Sequence, residues 1–118
     1  MKLLTKDIRK KLPVLNSKDC KGLDALAIVK FFTPDSNWTW YASSGSSVDV
    51  DGQFDTDKEE VDFHFFGLVV GLETELGCFT LNELESVRGV LGLPVERDRY
   101  YTPKTLRQLM DEHERWGY

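Results

Sequence analysis

Leu4, Ile8 and Leu12 recur every four residues, the spacing of one helix face. Thr5 stands before them as a candidate N-cap, Asp7 falls in the electropositive first turn, and Pro13 ends the run. A short N-terminal helix is therefore expected. Asn16 to Gly22 is polar and reads as a loop. Ala25 to Phe32 is rich in Ile, Val and Phe, and Trp38 to Ala42 continues an extended aromatic pattern. Thr33-Pro34-Asp35-Ser36-Asn37 between them holds turn-forming residues, so the two runs read as a β-hairpin.

The stretch from Ser43 to Glu60 carries two Gly, four Ser and six acids. It predicts an acidic surface loop over about 44–60, most mobile near Gly52, with Phe54 as the one side chain expected to fold back. Phe63 to Leu72 is apolar on both faces except at His64, as in an interior strand. Gly67 and Gly71 leave room there for a bulge or a close neighbour. Glu73-Thr74-Glu75 reads as a turn and Leu76 to Phe79 as a short strand.

Thr80-Leu81-Asn82-Glu83 has the form of a capping box and predicts a helix from Leu81 that buries Leu84, Val87 and Leu91. Gly89, Gly92 and Pro94 offer its stops. Val95 to Tyr101 alternates charged and apolar residues as an edge strand does. Thr102-Pro103 predicts a last helix with Pro at its first position, and Leu106, Leu109, Met110, His113 and Trp116 form its inner face. The expected fold is α+β, a mostly antiparallel sheet of four or five strands with three packed helices.

The chain has 118 residues, enough for a single domain over 1–118, with 41% hydrophobic and 30% charged residues. No apolar run approaches the ~20 residues of a membrane-spanning helix. The start Met1-Lys2-Leu3-Leu4 lacks the long apolar stretch of a signal peptide, and Cys20 and Cys78 make no disulfide framework. A cytoplasmic location follows as the expectation. The net charge of −5 hides a gradient, +5 over residues 1–30 and −6 over 49–62. Such asymmetry can steer a partner of opposite charge.

Several motifs bear on chemistry. Counted from Asp49, the ends of a calcium loop fit at Asp49 and Glu60, but Gln53 stands at position 5 and Phe54 where that loop needs glycine. No metal or cofactor is expected. Asp62 and His64 share a strand face, two residues apart, an arrangement that can orient an imidazole for proton transfer or hold a structural histidine. No nucleophile elbow or phosphate-binding glycine loop is present. Trp38 and Trp40 also share a strand face, either as core aromatics of a small sheet or as a stacking platform. Glu96-Arg97-Asp98-Arg99 reads as a charged edge or as an ion-paired recognition patch containing Arg97.

Four blocks carry a family resemblance: Lys30-Phe31-Phe32-Thr33-Pro34-Asp35 with Trp38 and Trp40-Tyr41; Phe65-Phe66-Gly67-Leu68-Val69; Glu75-Leu76-Gly77 with Leu81-Asn82-Glu83-Leu84-Glu85; and Gly92-Leu93-Pro94-Val95-Glu96-Arg97-Asp98. They resemble a family of small domains of unknown function carried on bacterial plasmids, integrative elements and phages, and the resemblance covers about residues 3–105. The resemblance implies a mobile-element setting and brings no reaction with it. The expected function is that of a non-catalytic protein-interaction domain from a mobile genetic element, with anti-defence as a candidate role. Its candidate binding residues are Trp38, Trp40, Asp49, Asp51, Asp55, Asp57, Glu59, Glu60 and Arg97, with the acidic loop meeting a basic surface on an unidentified protein partner. Two alternatives stand beside it. One is a nucleic-acid-binding accessory domain of DNA transfer, using the N-terminal lysines with Trp38 and Trp40, against which the net charge counts. The other is an enzyme centred on Asp62 and His64.

Overall fold

The computed structural model describes residues 1–17 and 21–115, so Cys20 and Trp116 lie outside the described residues. In chain order the elements are α1 (Lys6–Lys11), a 3-10 turn (Gly22–Asp24), β1 (Leu26–Ala27), β2 (Val29–Phe32), β3 (Thr39–Asp49), β4 (Glu60–Val70), β5 (Thr74–Thr80), α2 (Leu81–Ser86), β6 (Glu96–Arg97), β7 (Lys104–Thr105) and α3 (Leu106–Arg115). The fold is α+β. Five strands form an antiparallel sheet in the order β5-β4-β3-β2-β6, and β1 pairs with β7 beside it.

Side chains alternate across the strands, so the sheet is apolar on both sides. One face carries Val29, Phe31, Trp40, Phe63, Phe65 and Phe79, covered by Leu4 and Leu12 beside α1 and by Leu84 of α2. The other face carries Tyr41, Leu68 and Val70 beneath Leu106 and Leu109 of α3. Thr5 caps α1 by accepting from the Ile8 amide (3.3 Å), and Thr80 caps α2 by accepting from Glu83 (3.1 Å), both as the sequence predicts. The β2–β3 hairpin also forms where expected, with Phe32 opposite Thr39.

The long strands are less regular than their pattern suggests. Ala42 pairs with Gly67 and Ser44 with Phe66, so Ser43 bulges out and its hydroxyl donates to the Phe66 carbonyl (3.2 Å). At Gly67 the backbone of β3 leaves no room for a side chain: a Cβ there would stand 1.7 Å from the Tyr41 carbonyl oxygen.

Several expectations need correction. The segment 44–60 is not one loop. Ser44 to Asp49 is the second half of β3, with Ser44, Ser46, Val48 and Asp49 buried against β4, and only residues 50–59 connect the strands. Small polar residues conceal a strand there, because the pairing partner is β4 and lies beyond the local window. The run Ala25–Phe32 breaks at Ile28, whose amide turns to the Ala42 carbonyl (2.8 Å). Helix α3 starts at Leu106 rather than at Pro103. Thr105 caps it, accepting from the Gln108 amide (3.1 Å), because Lys104 and Thr105 are held by β1 as a strand. Helix α2 ends at Ser86, before Gly89, so Leu91 is exposed rather than buried. The expected edge strand over Val95–Tyr101 shrinks to Glu96–Arg97.

Candidate functional site

The sequence-predicted acids of 49–60 do not form one free surface. Asp49 is only 3% exposed. Its carboxylate accepts from the amides of Asp51 (2.9 Å) and Gln53 (3.0 Å) and from the Thr56 hydroxyl (2.6 Å). The Thr56 bond, helped by those amides, holds its pKa below the ordinary carboxylate value. Asp49 therefore organises the turn that follows it, in which Gly52 and Asp55 adopt positive φ. Asp51 pairs with Lys58. Glu60 makes a two-point bond with the Arg9 guanidinium at 2.5 and 2.6 Å, which raises the Arg9 pKa. Arg9 also lies over the Phe63 ring, 5.0 Å from its centre. Only Asp55, Asp57 and Glu59 point out of this hairpin without an ion pair among the described residues.

Arg97 is likewise committed inside the fold. Its guanidinium donates to the carbonyls of Lys2 (2.6 Å) and Leu3 (3.3 Å) and ties the N-terminus to β6. The expected recognition patch there is replaced by a structural clamp, and the ion pair of this segment is Lys30 with Asp98 (3.6 Å).

Asp62 and His64 do come together, with Oδ2 and Nε2 3.7 Å apart. The other carboxylate oxygen accepts from the Asn82 amide (3.0 Å), and the Asn82 side chain donates back to the Val61 carbonyl (3.2 Å), so Asp62 fastens the start of α2 to β4. Phe54 does fold back, its ring edge-on to His64 at 5.5 Å. His64 lines a cavity of about 330 Å³ together with Ser44, Phe54, Phe66 and Cys78. Cys78 reaches it because it faces Phe66 across the β4–β5 ladder, a register that the sequence does not display.

The two tryptophans part company. Trp40 is buried in the core, while Trp38 is 40% exposed at the end of β3 and stacks on it with ring centres 6.0 Å apart. Trp38 covers Gly71, where a Cβ would stand 2.2 Å from the indole. Leu72 and Val90, which line a cleft with it, face solvent at 96% and 83%, and Leu91 next to Val90 is 79% exposed. Trp38 lines three clefts, two of which also include Val90. A wide one of about 610 Å³ runs from Pro34 to Leu72 and Val90, and a narrower one of about 370 Å³ reaches Val87 and Arg88.

This surface is built rather than loosely draped. The β2–β3 turn clips the segment after α2: Asp35 Oδ2 accepts from the amides of Leu91 (2.7 Å) and Leu93 (3.1 Å), and Ser36 Oγ from Val90 (3.1 Å). Asp35 Oδ1 is buried against Gly89 with no partner among the described residues. A Cβ on Gly89 would stand 1.5 Å from it, so only glycine admits the clip. The Thr33-Pro34-Asp35 and Gly92-Leu93-Pro94 blocks, far apart in sequence, meet at this point. Residues 3–115 match a family described as a protein of unknown function, DUF2958. The chain belongs to that family. No curated protein and no solved structure matches it. The meeting of those two blocks at Asp35 is thus a feature of a DUF2958 domain, in which one carboxylate fixes the loops that present Trp38, Val90 and Leu91.

The N-terminal lysines lie elsewhere. Arg9 of α1 is bound to Glu60 at one end of β4, whereas Trp38 covers Gly71 just past the other end. The fold does not join the basic helix and the exposed tryptophan into one surface. Residue type alone singles out Trp38, but Leu72, Val90 and Leu91 escape sequence reasoning, which places them in a strand or a helix. The signal for them was the cluster of glycines around each, which marks turns that lift apolar side chains outward.

Proposed function

We propose that this protein is a non-catalytic interaction domain that docks a protein partner on the surface formed by Trp38, Leu72, Val90 and Leu91. The observation that carries this reading is the exposure of four large apolar residues, two of which, Val90 and Leu91, stand on a loop that Asp35 and Ser36 fix. Exposed apolar surface is costly to leave in water and marks binding faces, and a half-exposed tryptophan lining several clefts has the form of an interface anchor. The clip lowers the entropy lost on docking, because the loops are ordered beforehand. The acidic hairpin supports the same function less directly. Three of its six candidate carboxylates serve internal bonds, and the remaining three add steering toward a basic partner. The mobile-element and anti-defence setting enters this proposal from the sequence blocks alone.

The test is recovery of partners from the native host by the purified protein, compared with Trp38→Ala combined with Val90→Ser, and with Asp55→Asn, Asp57→Asn and Glu59→Gln. The partner should be lost with the first variant. With the second it should be retained, and its binding should depend less on salt. If the Trp38 variant stays folded and holds the same partners as the parent, docking at this surface is wrong. Loss with the hairpin variant alone would move the interface to the acidic turn.

A further inference from the structure

The two edges of the sheet differ. The β6 edge is two residues long and is covered by the N-terminus through Arg97. The β5 edge is seven residues long, Thr74 to Thr80, and pairs with β4 in unbroken register. Edge strands are normally protected by prolines, bulges or several charges, and β5 has none of these beyond Glu75. Among the described residues no backbone bond leaves Thr74–Phe79 on the outer side. Its outward amides and carbonyls are open to another strand.

The side chains along this edge say what kind of strand. Leu76 and Cys78 lie on the face shared with α3, and both are exposed. Glu75, Gly77 and Phe79 lie on the opposite face, the one that carries α2. A Cβ at Gly77 would meet nothing within 4 Å, which leaves space beside the strand for a long neighbouring side chain. Glu75 is exposed on the same face as Gly77, the exposed acids Glu73, Glu83 and Glu85 flank β5 in the chain, and from Glu59 to Val87 there is no Lys or Arg.

From this we infer that β5 is a strand-addition site for an extended basic segment of a partner protein, with Lys or Arg at alternate positions on the Glu75 side and apolar residues on the Leu76 side. Main-chain hydrogen bonds supply the attachment and the alternating side chains the selectivity. A second copy of this chain is the other candidate strand, and charge argues against it. Edge-to-edge pairing would bring the acids of two β5 strands together in molecules that each carry −5. The site begins two residues after Leu72 of the Trp38 surface, and it does not depend on docking there.

The probe is a blocked heptapeptide alternating lysine and valine, with a glutamate–valine peptide as its counterpart, added to the full chain. Binding is read by titration and by amide hydrogen exchange. The basic peptide should slow exchange in residues 74–79, bind more weakly as salt is raised, and lose about tenfold in affinity with Glu75→Lys, which turns an attraction into a repulsion. Glu96→Lys makes the same change in net charge at the opposite edge and should alter affinity by less than about twofold. The inference is overturned if the peptide does not bind, if protection appears away from β5, if the two variants weaken binding equally, or if the acidic peptide binds as well. It is also overturned if β5 becomes protected without peptide as protein concentration rises, which assigns the edge to a second copy.

Discussion

Asp49 carries the largest difference between what a residue type suggests and what the residue does. Within a run of acids it reads as one more solvated charge, yet three hydrogen bonds converge on its buried carboxylate. Its lowered pKa means that the ionised form is favoured by folding, so this contribution is present above the ordinary value of 3.8 and is lost as pH falls below it. Asp49→Ala should therefore open the 50–59 turn and speed hydrogen exchange at the amides of Asp51 and Gln53. The same change at Asp57 should leave both amides as they are. Equal exchange rates in Asp49→Ala and the parent would show that the turn holds without its carboxylate. Neutralising all the acids of this segment together is thus a poor test of binding, since it removes a structural group with the exposed ones.

At the scale of elements, α2 separates local from tertiary contributions. Its cap is local: the Thr80 hydroxyl accepts from Glu83, and Thr80→Ala should cost about 1 kcal/mol. Its packing is tertiary: Leu84 is buried against the β4–β5 face with Phe65 and Phe79, and Leu84→Ala should cost ~2–5 kcal/mol through lost burial and a residual cavity. Chemical denaturation of the two variants measures both, and a cap loss as large as the leucine loss would contradict this division. Six residues are too few for a helix that stands alone, so most of its stability has to come from packing on the sheet.

Across the whole molecule, α3 is fastened to the sheet by a polar contact inside an apolar layer. The Tyr41 hydroxyl and His113 Nε2 share a hydrogen bond of 2.9 Å, whose donor is set by the imidazole tautomer. Burial lowers the His113 pKa, and nearby Lys30 acts in the same direction against the opposing charge of Glu112. Burial also raises that of Tyr41, which keeps the hydroxyl protonated. Because the folded state takes up the His113 proton less readily than the unfolded chain, stability is full above the ordinary value of 6.5 and declines as pH falls below it. Urea midpoints followed downward from pH 7 should show this decline, and His113→Gln should flatten it. A parent midpoint that rises on acidification through this range would contradict the assigned role of His113.

Much of the architecture was legible in the chain itself. The caps at Thr5 and Thr80, the turn at Thr33–Asn37, the apolar run of β4 and the α+β class all depend on neighbours within a few residues, so local chemistry determined them. Gly67 stands out as a place of close approach for the same reason. What the tertiary structure decided involves partners far apart in sequence. Ser44–Asp49 became a strand because β4 pairs with it, and Arg97 became a clamp because the N-terminus passes beside β6. Trp38 and Trp40 share one face and differ in exposure because Trp40 lies within the sheet and Trp38 beyond its end. The candidate site was visible only as a single tryptophan. Its other members, Leu72, Val90 and Leu91, are assembled around it by Gly71 and by the Asp35 carboxylate, which bonds to amides more than fifty positions away. Sequence periodicity reports which side of an element faces inward, whereas a surface made from three turns exists only once the strands between them have paired.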